Sequence, residues 1–239
     1  MIFVIMKEEN WRKETVFRRG DVKGMCVWPV GEVSDAEKMR CFYKTLATLP
    51  QQTHSLNVAV VSDGSELLEE TDAVVCFNPD LCVGVVTADC VPVLLYAEDV
   101  SAIAAIHAGW KGTLGGIIDN TLDLLESHGA STSNIHAFIG PCIHKDNYEV
   151  GPELAESFIA AGFRDFVSWP NGASGRPHLD LPGINRERLL RRGVKADNIK
   201  IHPACTYGYV SPDGGVYPSH RRSGGAPARL LTYIGRLPD

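Results

Sequence analysis

The chain is predicted to be α/β, and three observations carry that expectation. Short runs rich in Val, Ile and Ala recur at Leu56–Val61, Asp72–Cys76, Val83–Val86, Ala102–Ile106 and His136–Ile139, bounded by turn residues. Stretches with helical spacing lie between and after them. With 239 residues, 44% of them hydrophobic and 22% charged, the chain can bury a full core, and no composition break, repeat or low-complexity segment marks a linker. One domain over residues 1–239 is expected.

The elements follow in order. Met1–Met6 is too short for a signal h-region and its charges follow it, so it reads as an edge strand. Residues 7–35 are polar with glycines and short apolar pieces. Val16–Arg19 reads as a strand running into a basic turn, which makes Arg18 and Arg19 candidate anion ligands. Ala36–Leu49 places Met39, Phe42, Tyr43 and Leu46 on one helical face and is ended by Pro50. Val83–Val86 is a buried strand that continues as Val93–Tyr96 after Pro92. Ala102–Ile106 delivers His107 into a glycine turn, Gly109–Gly112. Leu114, Ile117, Ile118, Leu122 and Leu125 then mark one helix stopped near Gly129. Helices are expected over Pro152–Ala161, with proline at the start, and over Gly183–Arg192. Trp169–Arg176 reads as a loop, and Ile199–Ile201 and Arg229–Ile234 as the last strands.

Charge and cysteine usage narrow the function. A net charge of −6 argues against a nucleic-acid partner. No apolar run approaches a membrane span. Seven cysteines without regular spacing read as reduced thiols, so the expected compartment is the cytoplasm.

Reactive groups gather at strand ends. Asp89 and Cys90 follow one strand and His107 ends another, as in strand–loop–helix sites generally. There is no C-x-x-C, H-E-x-x-H or H-x-H, and no G-x-S-x-G elbow. A metal site would therefore be assembled from separate strand ends. His54, Cys90 and His107 supply two imidazoles and a thiolate, the three-ligand pattern of a catalytic zinc site. A Cys90 nucleophile with His107 as base is the rival, and a Cys and His that merely fill the core is the plainer alternative. Lys111, beside a helix N-terminus, is a candidate anion ligand. Asp89 is a candidate to orient a ligand or shuttle a proton, or else a turn-capping residue.

T-A-D-C-V-P-V-L-L-Y, I-H-A-G-W-K-G-T, I-G-P-C-I, Y-E-V-G and L-D-L resemble the bacterial laccase-domain family, as do the C-terminal C-T-Y and Y-P-S-H-R-R. That family was first labelled multicopper polyphenol oxidase and later assigned to purine nucleoside metabolism. The resemblance covers roughly residues 50–225. It implies layered mixed sheets flanked by helices (α-β-β-α), with zinc held by His54, Cys90 and His107. It also implies phosphorolysis of adenosine, inosine, guanosine and methylthioadenosine, and deamination of adenosine. The implied partners are purine nucleosides and phosphate. Cys90, His107, Lys111 and Asp89 become the expected catalytic set, and Arg18, Arg19, Cys142 and Arg221 the expected substrate contacts. Cys142, in the G-P-C-I turn, is expected to line the pocket. The family's N-terminal arginine segment survives only as a degenerate Phe17-Arg18-Arg19-Gly20-Asp21-Val22. Copper-dependent oxidation of phenols and a non-enzymatic metal-binding module are the alternatives. The oligomeric state is not legible.

Overall fold

The computed structural model describes residues 11–30, 35–170, 172, 175–210 and 214–238. Met1–Met6, expected as an edge strand, lies outside them.

Two sheets form the centre. The first contains β1 (Trp11–Arg19), β2 (Val22–Pro29), β5 (Val83–Thr87) and β12 (Leu230–Arg236), in the antiparallel order β1-β2-β12-β5. The second is built from β3 (Val58–Val61), β4 (Ala73–Cys76), β6 (Val91–Ala97), β7 (Ala102–Ala108), β8 (Ile135–Ile139) and β11 (Ile199–Ile201). Its order is β11-β8-β6-β7-β4-β3, with parallel pairs at both edges and antiparallel pairs between, and a separate two-stranded antiparallel sheet joins β9 (Val167–Ser168) to β10 (His178–Leu179).

Successive side chains of a strand face opposite ways, and this assembles the layers. Leu94 and Tyr96 of β6 join Val83 and Val85 of β5 and Ile234 of β12 in a core between the sheets. Val93 and Leu95 face the other way, toward helices α3 (Ile117–Ser127), α4 (Pro152–Ala160) and α5 (Leu181–Arg191). Across the first sheet, α1 (Ala36–Lys44) sets Met39 and Tyr43 on Val27, Leu231 and Tyr233. The order is helix, sheet, sheet, helices, as the resemblance implied. Strands β4, β6 and β7 of the six-stranded sheet are buried along their whole length, which is why they read as unbroken apolar runs. Among the described residues no helix is long and apolar enough to cross a membrane.

Several expectations change. The expected strand at Val16–Arg19 with its basic turn is the end of a longer element, the β1–β2 hairpin, whose first strand starts at Trp11 and turns at Gly20 and Asp21. Every second or third residue of β1 is exposed, and Gly24 of β2 leaves no room for a side chain against Leu94, so neither strand has a clean apolar pattern. Helix α1 ends at Lys44, and Leu46 packs beyond it against the same core. Val83–Val86 and Val93–Tyr96 are not one strand: β5 belongs to one sheet and β6 to the other. The single helix expected after His107 is two, α2 (Trp110–Gly115) and α3, divided at Gly116, whose φ of 90° is open to glycine.

Candidate metal centre

The site lies at the crossover between the sheets. Thr87 ends β5 and Val91 begins β6, so Ala88, Asp89 and Cys90 form the link. Antiparallel register sets Pro92 opposite His107 and Val91 opposite Ala108, which brings Cys90 to the end of β7. On the other side of β7, Ala73 pairs with Ile106, so Asp72 meets His107. His54 arrives on the loop before β3, at a φ of 61°. Gln52 splints that loop to β5: its Nε2 donates to Val86 O and its Oε1 accepts from Val86 N, both at 2.8 Å.

One donor atom each from His54, Cys90 and His107 lie within 4.8 Å of one another, and among the described residues no other group of three or more His, Cys, Asp or Glu could hold an ion. Cys90 Sγ is 3.8 Å from His54 Nε2. A tetrahedral zinc with ordinary bond lengths holds its ligand atoms about 3.3–3.6 Å apart, so Cys90 and His54 already stand near that spacing, and the widest separation in the group would close by about 1 Å. Gly109 makes this packing available. A Cβ there would stand 2.8 Å from His54 Cδ2 and 3.1 Å from Cys90 Sγ.

Asp72 organises the group. His107 Nδ1 lies 2.6 Å from its Oδ1, and it accepts the N–H groups of Thr53, His54 and Ser55 at 3.0, 3.0 and 2.7 Å and the Ser55 hydroxyl at 2.8 Å. A carboxylate on one imidazole nitrogen fixes the tautomer and leaves the other nitrogen for a metal. Burial raises the Asp72 pKa, but the contact with His107 and the backbone N–H groups hold it well below the usual range. Burial lowers the His107 pKa, yet Asp72 and Cys90 push it up to about 9. Burial likewise raises the Cys90 pKa, and the two imidazoles outweigh it, bringing the thiol down to about 6. Without metal the group is a thiolate held among imidazoles.

The three donors line a cavity of about 570 Å³. Val86, Trp110, Ile143 and Leu181 give it apolar walls, while Tyr148, Arg40, His220, Arg221 and Arg229 give it polar ones. The Arg221 guanidinium lies 5.5 Å from the Tyr148 ring centre.

The other expected residues fall in different places. Arg221 lines the cavity. Asp89 also lines it, but its carboxylate is occupied by Thr206 Oγ1 at 2.6 Å, Ser219 Oγ at 3.1 Å and Arg221 N at 2.7 Å. Lys111 does not line it: it is exposed, with its ammonium 5.6 Å from the Trp110 ring centre. Arg19 pairs with Glu98 at 3.1 Å, past the far end of β6 and roughly 25 Å along the strand from Cys90. Arg18 lies beside it, opposite Lys23 in the hairpin, and neither arginine reaches the cavity. Cys142 is wholly buried in the core beneath the site, where burial raises its thiol pKa, and its neighbour Ile143 meets the cavity instead. Asp72, Gln52, Tyr148, Arg40 and Arg229 were not singled out from the sequence. Tyr148 lies in the Y-E-V-G motif, whereas only strand register or tertiary packing brings in the other four.

A family model described as multi-copper polyphenol oxidoreductase laccase matches residues 34–237. A purine nucleoside phosphorylase of Bacteroides thetaiotaomicron is 36% identical over 197 residues, 78% of this chain and 72% of that protein. Adenosine deaminase RL5, from an unknown prokaryotic organism, is 37% identical over 168 residues, 66% of this chain and 64% of that protein. A purine nucleoside phosphorylase of Deinococcus radiodurans is 39% identical over 166 residues, 70% of this chain and 61% of that protein. The chain thus spans somewhat less than two thirds of the latter two. Among solved structures, Bacillus licheniformis hypothetical protein YfiH aligns with a TM-score of 0.78 at 24% identity, over 90% of this chain and 93% of that one. Neisseria meningitidis protein NMB0706 aligns with a TM-score of 0.78 at 24% identity, over 95% and 99%. These two likenesses speak to the fold, which they share nearly end to end. With the matched span covering most of its length, the chain belongs to the multi-copper polyphenol oxidoreductase laccase family.

Proposed function

We propose that the protein is a zinc-dependent enzyme of purine nucleosides that cleaves adenosine, inosine, guanosine and methylthioadenosine with phosphate and also deaminates adenosine. The observation that carries this reading is the His54–Cys90–His107 group opening on a cavity sized for a small-molecule ligand. The names of the relatives support the substrate class.

The roles follow from the surroundings of each residue. His54, Cys90 and His107 hold the ion, and Asp72 keeps His107 in the ligating tautomer. A bound zinc polarises a substrate atom or lowers the pKa of a water. Trp110, Ile143 and Leu181 offer apolar surface to a purine, and Tyr148 lines the same cavity. In phosphorolysis an oxygen of hydrogen phosphate bonds to the anomeric carbon as the bond from that carbon to the purine nitrogen breaks. The electron pair leaves with the base, and the phosphate's proton ends on it.

One set of donors holds one ion, so the multi-copper chemistry in the family's description finds no support in the described residues. The deciding experiment incubates purified, zinc-loaded protein with adenosine, with and without phosphate, and quantifies adenine and inosine separately. Phosphate-dependent adenine and phosphate-independent inosine are the expected products. Formation of neither adenine nor inosine from adenosine, with or without phosphate, would reject the reading.

A further inference from the structure

The cavity carries a second chemical feature besides its metal donors. Arg40 on α1, Arg221 on α6 (His220–Ser223) and Arg229, just before β12, all line it. Each guanidinium is tethered by backbone carbonyls. Arg40 Nη2 donates to Pro50 O at 3.3 Å, and Arg221 Nη2 to Glu149 O at 3.0 Å. Arg229 Nη1 donates to Ala226 O and Ala228 O at 2.7 and 2.8 Å.

Among the described residues none of the three pairs with a carboxylate. Arginines elsewhere do: Arg188 and Arg191 on α5 and Arg192 at its C-cap each meet an Asp or Glu within 2.8 Å. The side chains of Glu149 and Asp89, the two acidic residues bonded to Arg221 through backbone atoms, are committed to other groups. Glu149 pairs with Arg176, and Asp89 with two hydroxyls and a backbone N–H. A carbonyl tether fixes a guanidinium in place without cancelling its charge, and it uses only part of a fork of five N–H donors. Guanidinium charge is permanent, and its planar fork matches an oxyanion. Three such groups, drawn from distant parts of a chain with net charge −6, converge on one cavity.

We infer that Arg40, Arg221 and Arg229 form an oxyanion subsite that takes the phosphate co-substrate, an inference that rests on the phosphorolysis reading above. It assigns the phosphate to residues other than Lys111, Arg18 and Arg19. Phosphate held here shares a cavity with the metal donors, so both act on one nucleoside, and the attacking oxygen belongs to an anion whose other oxygens the guanidinium groups hold.

Inorganic phosphate is titrated calorimetrically, at constant ionic strength, into the full chain with and without zinc. Arg40→Gln and Arg229→Gln are compared with wild type and with Arg164→Gln, an exposed arginine outside the cavity. Each cavity variant is expected to weaken phosphate binding about ten- to a hundredfold, the loss of one charge-assisted contact, with or without zinc. Arg164→Gln should not weaken it. Thermal melts check folding, and Arg40→Lys, which keeps charge but loses the fork, covers an unfolded Gln variant with an intermediate affinity expected. Equal binding by wild type and the cavity variants overturns the subsite, as does a wild type that binds no phosphate. Adenine release, measured in parallel, separates this failure from that of the enzymatic reading. Arginine-dependent binding without nucleoside cleavage leaves the subsite standing and rejects phosphorolysis. Phosphorolysis with an unchanged phosphate KM in both variants does the reverse.

Discussion

Asp72 and His107 stand 2.6 Å apart, and the same carboxylate gathers the backbone N–H groups of Thr53, His54 and Ser55. One buried side chain thus orients one metal donor directly and sets the loop that carries another. Asp72→Asn keeps the size but removes the charge, and it presents an amide where the loop needs acceptors. Zinc affinity should fall about ten- to a hundredfold, the usual cost of losing a partner behind a metal ligand. Competition with a chromophoric chelator measures it, and an unchanged affinity would relegate Asp72 to the core.

Gly109 tests the packing of the donors without touching any of them. Its φ of −67° and ψ of 178° suit alanine, so the backbone is not strained by the change. The added methyl would stand 2.8 Å from the His54 ring and 3.1 Å from Cys90 Sγ. Gly109→Ala should therefore displace His54 and lower zinc occupancy while the fold survives. Elemental analysis beside a thermal melt reads both, and full occupancy with normal turnover would show that the loop yields freely.

Cys90 should be a thiolate at neutral pH in the metal-free protein, because its pKa is brought down to about 6. A lowered thiol pKa means that the nucleophilic form dominates above that pH and is lost below it. Its alkylation by iodoacetamide should rise with pH to a half-maximum near 6, and zinc should suppress it. Peptide mapping keeps the exposed Cys41 out of the signal. A half-maximum near that of a free thiol, about 8.5, would mean that the imidazoles do not stabilise the anion.

What the sequence made legible follows from physical range. Strands buried on both faces are continuous apolar runs, so β4, β6, β7 and β8 stood out, while of the half-exposed β1 only the end at Val16–Arg19 was read and the glycine-broken β2 was not. His54, Cys90 and His107 were reachable through their motifs. Asp72 was not, because its role exists only once β4 is registered against β7. Arg40 and Arg229 lie 189 positions apart, and only the folded layers bring them to one cavity. Lys111 shows the limit of sequence adjacency. It is adjacent to the site in sequence, but it projects to solvent over Trp110.

Asp89 distinguishes positioning from proton transfer. It occupies the left-handed region at a φ of 83° and accepts from Thr206, Ser219 and the Arg221 backbone, so it clamps the C-terminal segment onto the crossover. Arg222 reinforces that segment by donating to the carbonyls of Thr206 and Tyr207 at 2.6 and 2.8 Å. Asp89→Ala leaves buried hydroxyls without an acceptor and forces alanine into a strained backbone, which should cost about 2–4 kcal/mol. Asp89→Asn tolerates the backbone and keeps one acceptor oxygen. This variant should retain full zinc, because Asp89 touches none of the three donors, while the phosphate KM rises about tenfold as Arg221 loosens. A proton-shuttling Asp89 would instead lower kcat by about a hundredfold or more at an unchanged KM. Steady-state kinetics of Asp89→Asn against phosphate concentration, with zinc content measured on the same samples, decides between the two roles. Loss of zinc, or a fall confined to kcat, would overturn the clamp.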